Sequence, residues 1–136
     1  MVKLHSKNNG SLIRSIVSKA ANQCGKSKAK DRELFIKRFY EFIPEDELKE
    51  LTVEDLTAAA LDMFGFLTKR KENTHIIRVF NPTKKIHGWE SEHTIIEIVN
   101  IDQPFLVSSV TEELYRNNIQ IYHLVHPIIN IKRDKK

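Results

Sequence analysis

The sequence predicts an α+β fold: a helical N-terminal region followed, from about Asn73, by a small sheet-and-helix unit. Three observations carry this. Residues 53–67 keep apolar side chains at i, i+3 and i+4 spacing. Three β-rich runs follow, at 75–80, 94–99 and 119–125. Residues 93–131 then read in the order strand, helix, strand with short turns between them.

Residues 1–10 carry no periodic signal and are expected to be frayed. Ser11 is a candidate N-cap before Leu12, Ile13, Ile16, Val17 and Ala20, a short apolar stripe at helical spacing. Residues 25–30 read as a polar linker. A second helix is expected from Asp31 to Ile43, with Asp31 near its positive end and Leu34, Phe35, Phe39 and Phe42 on the buried side. Pro44 stops it, because proline disfavours helical backbone at the preceding residue and lacks an amide hydrogen. Glu45 to Leu48 is a short acidic turn. Thr52 then caps the helix whose face is Val53, Leu56, Ala59, Ala60, Met63, Phe64 and Leu67.

His75 to Phe80 is the first strand, stopped by Asn81-Pro82, and residues 83–92 form a loop. Thr94 to Val99 is the second strand. Asp102 is placed as the cap of a helix with Pro104 in its first turn and Leu106, Val107, Val110 and Leu114 inward. Asn117-Asn118 is a left-handed terminus, and Ile119 to Val125 a third strand before Pro127. Two parallel strands joined by a helix make a right-handed crossover, half of a ferredoxin-like sandwich. The organisation read from this is a basic extension with a short helix (1–30), a helical segment (31–72) and the α+β unit (73–136).

Composition narrows the function. At 136 residues, with 40% hydrophobic and 29% charged side chains, the chain reads as soluble and able to bury a core. No apolar run approaches the ~20 residues that cross a bilayer. The net charge of +4 is uneven: residues 1–30 hold seven bases and no acid, leaving 15 bases against all 18 acids beyond, a net −3. Nucleic-acid binding expects positive charge on the folded face, which is absent here. An RNA-recognition sheet also needs adjacent aromatic residues, and strands 93–100 and 119–126 offer only Tyr122. The single cysteine, Cys24, permits no internal disulfide and fits a reducing, cytoplasmic setting.

Chemistry-bearing motifs are missing. The four glycines, at 10, 25, 65 and 88, allow no G-x-G-x-x-G, and Cys24-Gly25-Lys26-Ser27 has Ala20 where a phosphate loop needs glycine. His123 and His126 alternate across a strand, while His87 and His93 with Glu90 and Glu92 have only generic spacing for a metal. Cys24 has no positioned base, and Ser108 and Ser109 lie on a helix. No catalytic, cofactor-binding or metal site is expected. At Asn100 to Leu106 a strand end, the Asp102 carboxylate and a helix start converge, a place able to hold a small zwitterion if Asp102 is more than a cap.

The run Ile95-Ile-Glu-Ile-Val-Asn-Ile-Asp-Gln-Pro104 before an apolar helix resembles the first half of an ACT domain, an amino-acid-sensing module. Asn81-Pro82, His87-Gly-Trp-Glu-Ser91, His93-Thr94, Glu97-Ile-Val-Asn100, Asp102, Pro104-Phe-Leu-Val107 and His126-Pro127 resemble the N-terminal region of the large bacterial NAD-specific glutamate dehydrogenases, from about Asp31 to Asp134. The resemblance implies a parent enzyme that converts L-glutamate to 2-oxoglutarate and ammonia with NAD, its catalytic and NAD-binding domains lying elsewhere. It implies for this chain a regulatory or assembly role, with the remaining dehydrogenase domains or subunits, further copies of the chain, or an amino-acid effector as partners. Candidate ligand-binding residues are Asp102, Gln103, Pro104 and Ser108. Phe105 stands where ligand-binding ACT domains carry glycine, and Ser108 where the dehydrogenases are expected to carry aspartate; both move the expectation toward packing. Alternatives are a stand-alone amino-acid-binding module, or a split-gene remnant with only an oligomerisation role.

Overall fold

The computed structural model describes residues 9–132. It contains α1 (Gly10–Gln23), α2 (Ala29–Tyr40), α3 (Glu45–Leu48), α4 (Val53–Thr68), β1 (Ile76–Phe80), α5 (Lys84–His87), β2 (Ile95–Val99) and α6 (Leu106–Arg116). The predicted α+β class holds. Of residues 1–10, expected to be frayed, 1–8 lie outside the described residues, whereas Asn9 is buried and Gly10 begins α1.

The core sits among the first four helices. Ile13, Ile16 and Ala20 of α1, Phe35, Ile36 and Tyr40 of α2, Leu48 of α3, and Leu56 and Ala60 of α4 form one buried cluster. Ile16 and Ala60 are fully enclosed. The Phe35 ring lies 5.3 Å from Phe39 and 5.5 Å from Phe64. Tyr40 Oη donates a 2.6 Å hydrogen bond to the Leu56 carbonyl, so its one polar atom is satisfied inside the core. Burial pushes the Tyr40 phenol well above its ordinary pKa.

Several boundaries differ from the sequence reading, each for a local reason. Helix α1 starts before Ser11, with Asn9 as its N-cap. Asn9 is buried, and its side-chain amide donates to the carbonyls of Tyr40 (2.9 Å), Glu41 (3.3 Å) and Ile43 (2.9 Å). Those carbonyls lie at and just beyond the end of α2, where the regular helical bonds stop; that of Tyr40 also accepts from the Ile43 N–H at 3.2 Å. The linker 25–30 is likewise tied: Arg32, buried in the first turn of α2, donates to the Gly25 and Ser27 carbonyls at 2.8 Å each. Helix α2 ends at Tyr40 rather than Ile43, which turns Phe42 outward to 84% exposure. Leu34 is also exposed, and Ile36 and Tyr40 take the inward places.

Helix α4 follows its prediction most closely. Thr52 Oγ1 accepts from the Asp55 N–H at 3.1 Å, the expected cap. The helix packs on α1 and α2 along one side and on α5 along another. Residues 83–92, expected to be a loop, contain α5, capped by Thr83 Oγ1 accepting from the Ile86 N–H at 3.3 Å. Gly88 ends it with φ +80°, the left-handed conformation glycine adopts without strain, and delivers Trp89 to the interior.

Strands β1 and β2 pair antiparallel in the register Ile76↔Val99, Arg78↔Glu97, Phe80↔Ile95. This is the whole sheet among the described residues. The third strand expected at Ile119 to Val125 does not form, so the crossover is not closed. The segment instead makes side-chain contacts: His123 reaches Glu47 and Glu50, and Ile129 packs against the helical core. Helix α6 ends as expected, with Asn118 left-handed and a Schellman pair, Ile119 N–H to Leu114 O at 2.9 Å and Asn118 N–H to Tyr115 O at 3.0 Å.

Candidate functional site

Strand alternation sends Ile76, Arg78 and Phe80 toward α4 and Ile77 and Val79 outward. Arg78 is therefore an inward cation on a half-buried strand. Its guanidinium reaches Asp62 of α4 through Nη1 and Nη2 at 3.2 and 3.1 Å, and Glu97 of β2 through Nε at 3.0 Å and also through Nη2. The guanidinium carbon lies 4.7 Å from the Phe66 ring centroid and 4.2 Å from that of Phe80. One side chain thus joins α4 to both strands.

The charges here are set by opposing effects. Burial works against the Arg78 charge, yet its bonds to Asp62 and Glu97 prevail and raise its pKa. For Glu97 burial is the largest effect and lifts the carboxyl above its ordinary range, with Arg78 opposing. The two directions describe one pair in which lost hydration of the carboxylate outweighs what the arginine returns. A second ion pair, Lys84 to Asp55, fixes α5 on α4, and the hydrogen bond to Asp55 raises the Lys84 pKa. Arg78 was not singled out in the sequence; its signal was a lone basic residue at an inward position of an alternating strand.

The opposite side of the sheet is apolar and only partly covered. Ile77 is 58% and Val79 62% exposed, and they stand across from Ile98 and Ile96. Helix α6 has a strongly amphipathic sequence, and its apolar residues Leu106, Val107, Val110 and Leu114 are half-buried, none of them fully. An open groove of about 290 Å³ is lined by Ile96 of β2 and Ser109, Val110, Glu113 and Leu114 of α6. Beyond α6, Ile119, Tyr122, Leu124, Val125, Ile128 and Ile131 are exposed. Exposed apolar side chains thus recur on the outer face of the sheet and in the segment after α6.

The four ligand-binding candidates lie at the start of α6. Asp102, Gln103 and Pro104 are exposed in the turn before it, and Ser108 is exposed in its first turn. Asp102 is not the cap. The N-cap is Phe105, left-handed at φ +64° and 80% exposed, because the turn at Pro104 and Phe105 delays the helix to Leu106. Ser108 Oγ donates to the Phe105 carbonyl at 3.2 Å. None of the four lines the groove. Of the histidines considered for a metal, His87 Nδ1 accepts from the Thr83 N–H at 3.0 Å, and His93 stacks on Tyr122 with centroids 4.3 Å apart. Among the described residues no three His, Cys, Asp or Glu side chains are grouped to hold a metal ion. No helix among them is long and apolar enough to cross a membrane.

Comparison with known proteins bears on this arrangement. The family model for the glutamate dehydrogenase ACT1 domain matches residues 35–136. The chain is 30% identical over 123 residues to the NAD-specific glutamate dehydrogenase of Halomonas elongata, covering 90% of this chain and 8% of that protein. It is 35% identical over 103 residues to the NAD-specific glutamate dehydrogenase of Pseudomonas aeruginosa, covering 76% of this chain and 6% of that protein. The chain therefore spans less than a tenth of the length of these relatives. The Halomonas match is too long to fit within residues 31–136, so it takes in part of the N-terminal region as well. No solved structure matches the chain significantly. The half-covered sheet with its capped helical base, matched across residues 35–136, belongs to the glutamate dehydrogenase ACT1 domain family.

Proposed function

We propose that this chain is a non-catalytic regulatory and assembly segment of a large NAD-dependent glutamate dehydrogenase, whose reaction converts L-glutamate to 2-oxoglutarate and ammonia. The observation that carries this reading is the exposed apolar surface of Ile77, Val79 and Ile96 beside the half-buried apolar face of α6. A stable helical core holds a sheet that is finished on one face only. The remaining dehydrogenase domains or subunits, in the cytoplasm, are the partners that would cover the other. Residues 1–30, 31–72 and 73–136 are the proposed units, with the last providing the contact. NAD belongs to the parent enzyme in this reading, and no residue here is assigned to it. A purified chain given L-glutamate and NAD is expected to form no NADH; turnover by the chain would overturn the proposal.

An amino-acid effector is a second reading, resting on the likeness of Asp102, Gln103, Pro104 and the start of α6 to an ACT ligand turn. Asp102 would meet an ammonium group, and the first-turn N–H groups of α6 a carboxylate. Phe105 narrows the approach, because its side chain projects where a glycine would leave the backbone open. Calorimetry against a panel of amino acids decides this reading; no heat at millimolar ligand removes it.

A further inference from the structure

We propose that Asp62, Arg78 and Glu97 form a proton-operated joint between α4 and the sheet. With a proton on Glu97 the arginine's charge is left to Asp62 and the sheet is held fast; without it the charge is divided and the sheet is held more loosely. The proposal goes beyond the dehydrogenase reading and is tested on this chain alone.

The joint draws on three elements. Asp62 of α4 takes the end of the guanidinium, with Nη1 donating to Oδ1 at 3.2 Å and Nη2 to Oδ2 at 3.1 Å, the paired geometry that suits arginine and a carboxylate. Glu97 of β2 takes its side, through Nε at 3.0 Å and through Nη2, and both of these bonds fall on Oε2. The arginine has hydrogens enough for both carboxylates but only one positive charge. The side chains are 23% (Arg78), 22% (Asp62) and 11% (Glu97) exposed, so solvent screens the second negative charge weakly. A proton removes that charge without disturbing the bonds, because Glu97 Oε1 receives none of the arginine's hydrogens and can carry it. Both oxygens of Asp62 are already engaged.

The two bonds also differ in what they hold. Arg78 and Glu97 face each other across the β1–β2 pair, so their bond lies within the sheet. The bond to Asp62 crosses from the sheet to α4. Shifting the charge toward Asp62 therefore strengthens the attachment between elements. The remaining charged group that faces Glu97 is His87 of α5, whose ring lies 4.7 Å from that of Phe80 and whose charge favours the ionised carboxylate. Asp62 acts in the opposite sense, together with burial, the largest effect, and the carboxyl is raised above its ordinary range. A carboxyl raised in the docked state binds a proton on docking. Docking is thus strengthened in full below the ordinary glutamate value of about 4.3, and the gain is lost as pH rises through the raised value. The sheet carries Ile77, Val79 and Ile96 on its outer face, so the joint sets how firmly that surface is presented.

Trp89, the single tryptophan, reports on the joint. It is buried, its ring stands edge-on to Phe80 of β1 at 6.2 Å, and Gly88 before it lies against Ala58 of α4. The test pairs carbon-13 NMR of the Glu97 carboxyl with acrylamide quenching of Trp89 in the whole chain, from about pH 4 to about pH 8. Glu97 is expected to titrate above about 4.3, and quenching to rise several-fold as pH passes through that titration. Glu97→Gln should keep quenching low throughout. His87→Gln should keep the pH dependence, which separates Glu97 from His87 as its source. Asp62→Asn leaves the whole charge to Glu97 and should lower its titration. A Glu97 that titrates at or below its ordinary value would overturn the proposal. So would quenching that is flat across the titration, or a Glu97→Gln chain that keeps the original pH dependence. Should a variant not fold, the two measurements on the unaltered chain decide.

Discussion

At Arg78 the guanidinium divides its donors between Asp62 and Glu97 and lies against Phe66 and Phe80, so four side chains from three elements depend on it. Arg78→Met keeps the bulk but leaves two half-buried carboxylates facing each other. It is expected to destabilise the chain by about 3–5 kcal/mol, as removal of one partner from a buried ion pair does, measured by urea unfolding. Glu97→Gln should cost far less, since burial already holds that carboxyl above its ordinary pKa. The sign of its pH dependence follows. A carboxyl raised on folding contributes stability that is present at acid pH and lost as pH rises through the raised value. The stability of Glu97→Gln relative to the unaltered chain should therefore climb as pH rises from about 4 to about 7. Phe105 holds a left-handed backbone that costs a non-glycine residue about 1–2 kcal/mol. Phe105→Gly is expected to raise the unfolding midpoint in urea, which would identify the exposed ring as retained for contact and not for the fold of this chain.

Among the elements, α4 and α6 are opposites. Both have apolar periodicity in sequence, but α4 is packed on more than one side, whereas α6 buries no residue. Amide exchange should be slowest in α4 and α1, where opening requires breaking the core, and many-fold faster through α6. Equal protection in α4 and α6 would mean that α6 is better supported than its contacts indicate. This contrast also explains what could be read in advance. Thr52, the α4 stripe, both strands of the pair and the Asn118 terminus rest on local rules, so the sequence showed them. The third strand rested on pairing, which depends on what lies beside it, and 119–125 found side-chain contacts on α3 instead. Asp102 looked like a cap because its residue type and position suited one. The left-handed turn at Phe105, which displaced it, has no signal in a bulky aromatic residue. Asn9 and Arg32 were illegible for related reasons: Asn9 satisfies carbonyls that become its neighbours only once α1 and α2 have packed, and Arg32 satisfies those of the irregular turn just before α2. Of the proposed site, the apolar strand and helix residues were visible as a pattern. The exposure of Ile77, Val79 and Ile96 was not, because periodicity says which side is apolar and not whether anything covers it.

In the whole molecule a closed helical core joins a sheet whose outer face remains partly open, in a chain spanning less than a tenth of the length of its relatives. The central claim is that this open side is an assembly surface of a glutamate dehydrogenase. Sedimentation velocity tests it directly, on a full-length NAD-specific glutamate dehydrogenase, on the same enzyme lacking the segment that matches residues 35–136, and on the shortened enzyme mixed with this chain. The shortened enzyme is expected to lose its native assembly and this chain to co-sediment with it. A shortened enzyme that assembles as before, with the added chain sedimenting by itself, would contradict the assembly role.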